Sequence, residues 1–182
     1  MIISPTQKTV ERFKINIMDS SGQNEPLFRW GMKIFYVQRR ICLLVINEQT
    51  KLSFALFDVR NDDIQYLDNF IRHAILQLYR HDYEVVQLLM MYFEEDKTLE
   101  FEKLVNKSMI SSLNLLQSSL FDDLDFLANF VINNNLQVND VNAYLNFDWL
   151  VTRKHNNRKE YTFSGELFVE SLIERYLDNA VL

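Results

Sequence analysis

The chain has 182 residues, of which 48% are hydrophobic, 13% aromatic and 24% charged, a composition that builds a core and excludes disordered or collagen-like behaviour. Three Gly and two Pro leave no Gly-rich phosphate loop, and the single cysteine, Cys42, excludes an internal disulfide and a cysteine-based zinc cluster. The net charge of -6 argues against wrapping nucleic acid over a broad surface, which needs clustered Lys and Arg.

In chain order, Ile2-Ile3 reads as a short first strand. Ser4-Pro5-Thr6-Gln7 then reads as a helix start, with Ser4 as N-cap and Pro5 in the first helical position, and Val10 and Phe13 facing inward. Asn16 to Pro26 is a polar loop. Phe28 to Val37 alternates as a strand, Gln38-Arg39-Arg40 is a turn, Ile41 to Ile46 is apolar on both faces and so central, and Leu52 to Phe57 is the third strand. The connecting segments are too short for crossovers, so these three form an antiparallel meander.

The remainder reads mainly as helix. Asp62 caps one helix, with Ile64, Leu67, Ile71, Ile75 and Leu78 at helical spacing, and Asp82 caps a second that buries Val85, Leu88, Leu89 and Phe93. Thr98 to Val105 reads as a strand. Ser108 caps the longest helix, whose stripe from Met109 through Leu113, Leu116, Leu120, Leu124, Leu127 and Val131 forms one seam ended by Asn133-Asn134-Asn135. Asn139 or Asp140 starts a short helix. Trp149 to Val151 and Tyr161 to Phe163 form a hairpin around a basic loop, and Ser164 caps a last helix. The expected architecture is one α+β domain over 1–182. It holds a small antiparallel sheet, a three-strand meander plus edge strands, covered by several helices including one long helix. Residues 1–60 are mainly strand, 61–135 mainly helical, and 136–182 the C-terminal hairpin and helix.

No basic start is followed by an apolar stretch, and no apolar run approaches the ~18 residues that span a bilayer. The expected home is therefore a reducing cytoplasm, without membrane contact, and the Asn-, Lys- and Ile-rich composition suggests a bacterial host cell. Charge is uneven. Residues 1–40 carry seven Lys and Arg against three Asp and Glu, whereas residues 58–125 carry six against fourteen. The acidic segment contains Asp62, Asp63, Asp68, Glu94, Glu95, Asp96, Asp122, Asp123 and Asp125, the candidate contacts to a basic protein partner, since opposite potentials steer encounter. Acidic surfaces also keep proteins soluble, and that bland reading stands beside the functional one.

Catalytic signatures are sparse. His73, His81 and His155 show no zinc-hydrolase spacing, and His73 reads as a satisfied, partly buried residue beside its apolar stripe. Glu95-Asp96-Lys97 matches a Glu-x-Lys nuclease element, and Glu100 and Glu102 share one face of the following strand, where they could hold magnesium. Cys42 sits in the most apolar strand, where a thiolate is disfavoured, and reads as core. The candidate catalytic groups are thus Glu100, Glu102 and His155, with no metal site otherwise. Arg39, Arg40, Arg153, Lys154, Arg158 and Lys159, near Tyr36, Trp149 and Tyr161, would form a nucleic-acid grip, with cations on phosphates and rings under bases. The alternative for these is two solvated turns.

Met1-Ile2-Ile3, Thr6, Lys8, Trp30, Arg39-Arg40, Asn47, Thr50 and Lys107-Ser108-Met109 to Asn114 occur in an order that resembles an uncharacterised family of bacterial proteins, a domain of unknown function. The likeness covers roughly residues 1–115. It implies an α+β fold in a bacterial or mobile-element setting and supplies no site residues. Size and the Asn-, Lys- and Ile-rich composition are similar to those of phage counter-defence proteins, including anti-CRISPR inhibitors. The expected function is an acidic interaction or inhibitor protein that needs no cofactor and engages a basic partner such as an RNA-guided nuclease with its guide RNA. The alternatives are a magnesium-dependent enzyme cleaving RNA, including guide RNA held by a partner, and an antitoxin-like regulator.

Overall fold

Ile2–Pro5 (β1) is buried along its whole length, which an edge strand cannot be, and the computed structural model places it inside the sheet. The structure describes residues 1–18, 25–95, 98–122, 124–155 and 158–177. After β1 come helix Gln7–Phe13 (α1), strands Arg29–Val37 (β2), Arg40–Asn47 (β3) and Ser53–Leu56 (β4), and helices Leu67–Tyr79 (α2) and Tyr83–Glu95 (α3). Strand Glu100–Phe101 (β5) completes a five-stranded sheet in the order β4-β3-β2-β1-β5. The β2-β3-β4 meander is antiparallel as expected, but β1 runs parallel to both β2 and β5. The sheet is therefore mixed. The long connection through α1 carries the chain back to its starting end, and that makes the return strand parallel.

The alternation of β2 and β3 divides the core. Trp30, Met32, Ile34, Leu43 and Val45 meet α2, α3 and the C-terminal helix Ser164–Tyr176 (α7). Phe35, Cys42, Leu44 and Ile46 meet helices Lys107–Leu116 (α4) and Val138–Phe147 (α6). Gly31 lies under α4, where an added Cβ would come within 2.8 Å of the Met109 sulfur and 3.2 Å of Leu113. A side chain there would lift the helix off the sheet.

Several expected boundaries move, each for a local reason. Ser4 ends a strand instead of capping a helix; Thr6 is the N-cap, and Thr9, not Val10, is buried beside Phe13. There the Thr9 hydroxyl accepts the Ile34 N–H at 2.9 Å, covering β2 where β1 has ended. Asp62 lies in a 3-10 turn, Asn61–Tyr66, closed by Asp63 accepting the Arg60 N–H. Asp82 does cap α3, accepting from the Val85 N–H. The Thr98–Val105 strand shrinks to β5 because β1 pairs with it for only two residues. Asn106, not Ser108, caps α4, accepting from the Ser108 and Met109 N–H groups.

The long helix is the largest correction. After α4 the chain makes a π-turn, Gln117–Phe121, then a short helix, Leu124–Ala128 (α5), and a small hairpin, Val131–Ile132 (β6) with Asn135–Leu136 (β7). A straight 25-residue helix would run about 38 Å, longer than the sheet it covers. In the π-turn the adjacent Leu120 and Phe121 are both buried. Asn133 and Asn134 form the hairpin turn at positive φ (50 and 64°), so the Asn run that was expected to stop a helix turns a strand instead.

Strands Leu150–His155 (β8) and Arg158–Phe163 (β9) form the expected C-terminal hairpin. Ser164 does not cap α7. Its hydroxyl donates to Asn146. Asn146 and Asn142, one helical turn apart on α6, face the open edge of β4. The Ser53 N–H donates to Asn146 Oδ1 at 2.8 Å, and Asn146 Nδ2 donates to the Ser53 carbonyl at 2.7 Å. Asn142 repeats this with Ala55 at 2.8 and 3.4 Å. Residues i and i+4 of a helix and i and i+2 of a strand are both spaced by 6–7 Å, so two carboxamides substitute for a neighbouring strand.

His73 is exposed instead of half-buried. Among the described residues, no helix is long and apolar enough to cross a membrane. Arg175 on α7 stacks on Phe28 and pairs with Glu25 and Glu95, tying the last helix to α3.

Asn146→Ala strands the Ser53 N–H and carbonyl in a dry interface. It is expected to cost about 3 kcal/mol of unfolding free energy in urea titration, and a loss below about 1 kcal/mol would show that the edge does not need it. Hydrogen bonds from Arg175 hold the Glu95 carboxyl below its ordinary 4.5. A carboxyl depressed in the folded state stabilises above its unfolded pKa, and that contribution fades as pH falls through the folded value. Melting temperature is therefore expected to drop below about pH 4.5, and Arg175→Met should flatten that part of the profile.

Candidate functional site

The β2–β3 hairpin closes on Gln38 and Arg39, at φ 48 and 67°, with Val37 facing Arg40 in the final pair. Two residues with positive φ define the turn that matches strand twist, usually filled by Asn and Gly. Here neither position is either of those. At the far end of β4, Asp58 also sits at positive φ, 56°, and its carboxylate receives the Arg40 guanidinium at 3.3 Å. The β6–β7 hairpin stands opposite.

Between these hairpins lies a groove of about 700 Å³. Phe57, Leu127 and the buried Cys42 line its base, Val131 and Leu136 come from the small hairpin, and Asp58 and Asp125 supply carboxylates. Phe57 is held by Phe35 and Phe121 in two edge-on ring contacts, 6.1 and 6.4 Å between centroids. A second hollow of about 210 Å³ adjoins it, with Phe57 and Val138 lining both; its other walls include Asp63, Leu67 and Phe70. Tyr66, Phe70, Val131 and Ile132 are exposed around this surface. The result is a trough with an apolar base and a polar rim, to which Gln38, Arg40, Asn134 and Asn135 contribute beside the carboxylates. Burial pushes the Cys42 thiol up, away from the thiolate, consistent with the core role expected of it.

Of the expected partner contacts, Asp63 and Asp125 line this trough, and Asp62 and Asp68 belong to the same segment as Asp63. Glu94 and Glu95 end α3, which packs on the same face of the sheet as α2, and Glu95 is taken by Arg175 and Tyr176. Asp122 accepts from the Gln117 amide at 2.8 Å. Asp96 and Asp123 lie outside the described residues. The acidic set is thus only partly gathered at the trough, at Asp63 and Asp125.

The expected cations do not gather either. Arg40 pairs with Asp58, and Arg153 with Glu160 and Glu170. Arg39 is exposed at its turn, and Arg158 and Lys159 are exposed on β9. The root of the β8–β9 hairpin, Leu150 to Thr152, lines a hollow with Ile46 and Ser53, at the end of β3 about 20 Å from Arg40. The side chains of Lys154 and His155 lie outside the described residues. Glu102 is buried, with its carboxylate 2.9 Å from the Arg29 guanidinium, and Glu100 is half-buried on β5. No group of three or more His, Cys, Asp or Glu among the described residues is arranged to hold a metal ion.

A more open cleft of about 590 Å³ lies between the α2–α3 turn and α7, with His81, Asp82, Glu166 and Glu170 at its rim. Its carboxylates are engaged within the chain: Asp82 caps α3, Glu166 accepts from Thr162, and Glu170 pairs with Arg153, as Asp58 and Asp63 are engaged in the trough. The exposed Tyr66, Phe70, Val131 and Ile132 around the trough make it the better candidate. Asp58 was not singled out from sequence. Its only local signal is a short polar side chain, tolerant of positive φ, directly after an apolar strand.

The model of a domain-of-unknown-function family, DUF6933, matches residues 2–167. The chain belongs to this family. The match reaches well beyond residues 1–115, through α6 and the β8–β9 hairpin into α7. No curated protein matches the chain. In DUF6933 terms, most residues that carried the resemblance are structural. Asn47 and Thr50 knit the β3–β4 turn, with Asn47 Oδ1 accepting the Thr50 N–H at 3.0 Å and Asn47 Nδ2 donating to the Leu27 carbonyl at 2.8 Å. Trp30 donates to Tyr92 in the core, Met109 packs on Gly31, and Asn114 accepts from Lys33.

Because Cys42 is buried at the base of the trough, its reaction with an aromatic disulfide reagent is expected to be at least about 100-fold slower in the native protein than in urea. Comparable rates would show that the trough opens to its base.

Proposed function

We propose that this DUF6933 chain is a protein-binding module whose acidic trough receives a basic segment of a partner. The observation that carries this reading is the trough itself, an apolar base of Phe57, Leu127 and Leu136 edged by Asp58, Asp63 and Asp125. Apolar contact supplies affinity there, and the carboxylates select cationic neighbours. The net charge of -6 favours encounter with a positively charged protein. Binding of this kind calls for no cofactor.

The partner we infer is a protein with a basic, nucleic-acid-handling surface. The setting we infer is counter-defence by a phage or mobile element in a bacterial cytoplasm, with an RNA-guided nuclease and its guide RNA as the first partner to test. What supports this finer reading is the small, acidic character of the chain. The nuclease alternative is less well supported, because Glu102 is engaged by Arg29 and Arg40 and Arg153 are engaged by carboxylates.

Pull-down of guide-loaded CRISPR effectors and other defence nucleases at low salt is expected to retain at least one of them. Retention should weaken about fivefold on combining Asp63→Asn with Asp125→Asn, and weaken further as salt rises. Absence of any complex at low salt would remove the proposal.

A further inference from the structure

At the mouth of the trough one carboxylate is already occupied by a cation of the same chain. Arg40 opens β3 directly after the Gln38-Arg39 turn, and its Nη1 lies 3.3 Å from Asp58 Oδ2. The two side chains are 69% and 57% exposed. The contact is a single nitrogen on a single oxygen, and an exposed pair of this kind contributes little to folding. Yet both ends are held in place by backbone in a conformation that costs energy: Gln38 and Arg39 on one side and Asp58 on the other all have positive φ. Asp58 is thus presented at the rim beside Phe57, whose ring lines the base.

We propose that Arg40 is an internal stand-in for the partner's cation, covering Asp58 until an arginine of the partner displaces it. This rests on the trough being the binding surface. Charge complementarity and shape favour arginine over lysine. A guanidinium makes two parallel hydrogen bonds to a carboxylate where Arg40 makes one, and its flat face and methylene stem cover an aromatic ring such as Phe57. The occupant is therefore a segment that carries arginine next to an apolar residue. Arginine fills the rim at Asp58, and the apolar neighbour covers Phe57 and Leu136. The exchange replaces an exposed, monodentate internal pair by a bidentate one, so binding loses little when Arg40 lets go and gains specificity from the geometry.

The test uses the full chain and short labelled peptides alternating leucine with arginine, with lysine or with glutamate, followed by fluorescence anisotropy at low salt. The arginine peptide is expected to bind more tightly than the lysine peptide. Arg40→Gln, which removes the competitor, is expected to tighten the arginine peptide about threefold. Asp58→Asn, which keeps a residue tolerant of positive φ, is expected to weaken it several-fold and to abolish the gain from Arg40→Gln. Arg40→Lys should fall between wild type and Arg40→Gln. Near-ultraviolet circular dichroism checks that each variant is folded. If the arginine peptide binds but Arg40→Gln leaves its affinity unchanged or lowers it, the stand-in role is overturned while the trough survives as a binding surface. Binding of the glutamate peptide that depends on Arg40 overturns it too, because Arg40 would then be the contact itself. If neither wild type nor Arg40→Gln binds any of the peptides, the trough is not the site, and both readings fall together.

Discussion

The edge of β4 is the constraint from which much of this molecule follows. A sheet edge leaves a row of backbone donors and acceptors that either pair with something or invite another chain. Here Asn142 and Asn146 pair with Ala55 and Ser53, donor to acceptor and acceptor to donor. All four groups are buried, so the helix that carries them cannot slide or rotate without breaking several hydrogen bonds at once. Fixing α6 fixes its neighbours. Its last residues bring Phe147 against Gly165 at the start of α7, where a Cβ would come within 2.3 Å of the ring. Its first residue, Val138, lines the trough, and the β6–β7 hairpin just before it becomes the wall of the trough.

The two faces of the sheet do different work. The face under α2, α3 and α7 is large and aromatic, with Trp30, Phe54, Tyr92 and Phe168 fully buried. Its polar atoms are matched: Trp30 donates to Tyr92, whose hydroxyl donates to the Leu27 carbonyl. The other face is shallower. The chain there makes a π-turn and a short helix, and Phe126, Phe130 and Tyr144 continue the aromatic contacts that begin at Phe35 and Phe121. That break leaves the groove at the Arg40 end of β3. The trough is thus a consequence of a helix that fails to run straight.

Electrostatics in the folded chain is more balanced than the uneven charge along the sequence suggests. Arg29, Arg40, Arg153 and Arg175 each hold a carboxylate of their own chain, and these pairs tie together segments distant in sequence. Arg29 shows the structural version, half-buried between Glu48 and Glu102. Arg40 shows the exposed version, at the rim of a trough, where exchange is inexpensive. A count along the chain does not separate the charges that line the trough from those paired elsewhere.

Periodicity in the residues alone was enough to establish the α+β class, the β2-β3-β4 meander, the helices over Leu67–Tyr79 and Tyr83–Glu95, and the C-terminal hairpin. Those elements are local: short turns force neighbouring strands to be antiparallel, and an amphipathic stripe needs no knowledge of its partner. Other features depended on pairing between distant segments. β1 became an interior parallel strand because Glu100–Phe101, nearly a hundred residues away, closes its other side. The Met109-to-Val131 stripe, uninterrupted in sequence, is broken by the π-turn at Gln117–Phe121. Asn142 and Asn146 read as ordinary polar residues until β4 stood opposite them. Asp58 and Arg40 gained meaning only when the ends of β3 and β4 met. Side-chain spacing is written in one dimension, whereas the edge of a sheet, the mouth of a groove and the partner of a charge are set by which distant segments come to share the same space.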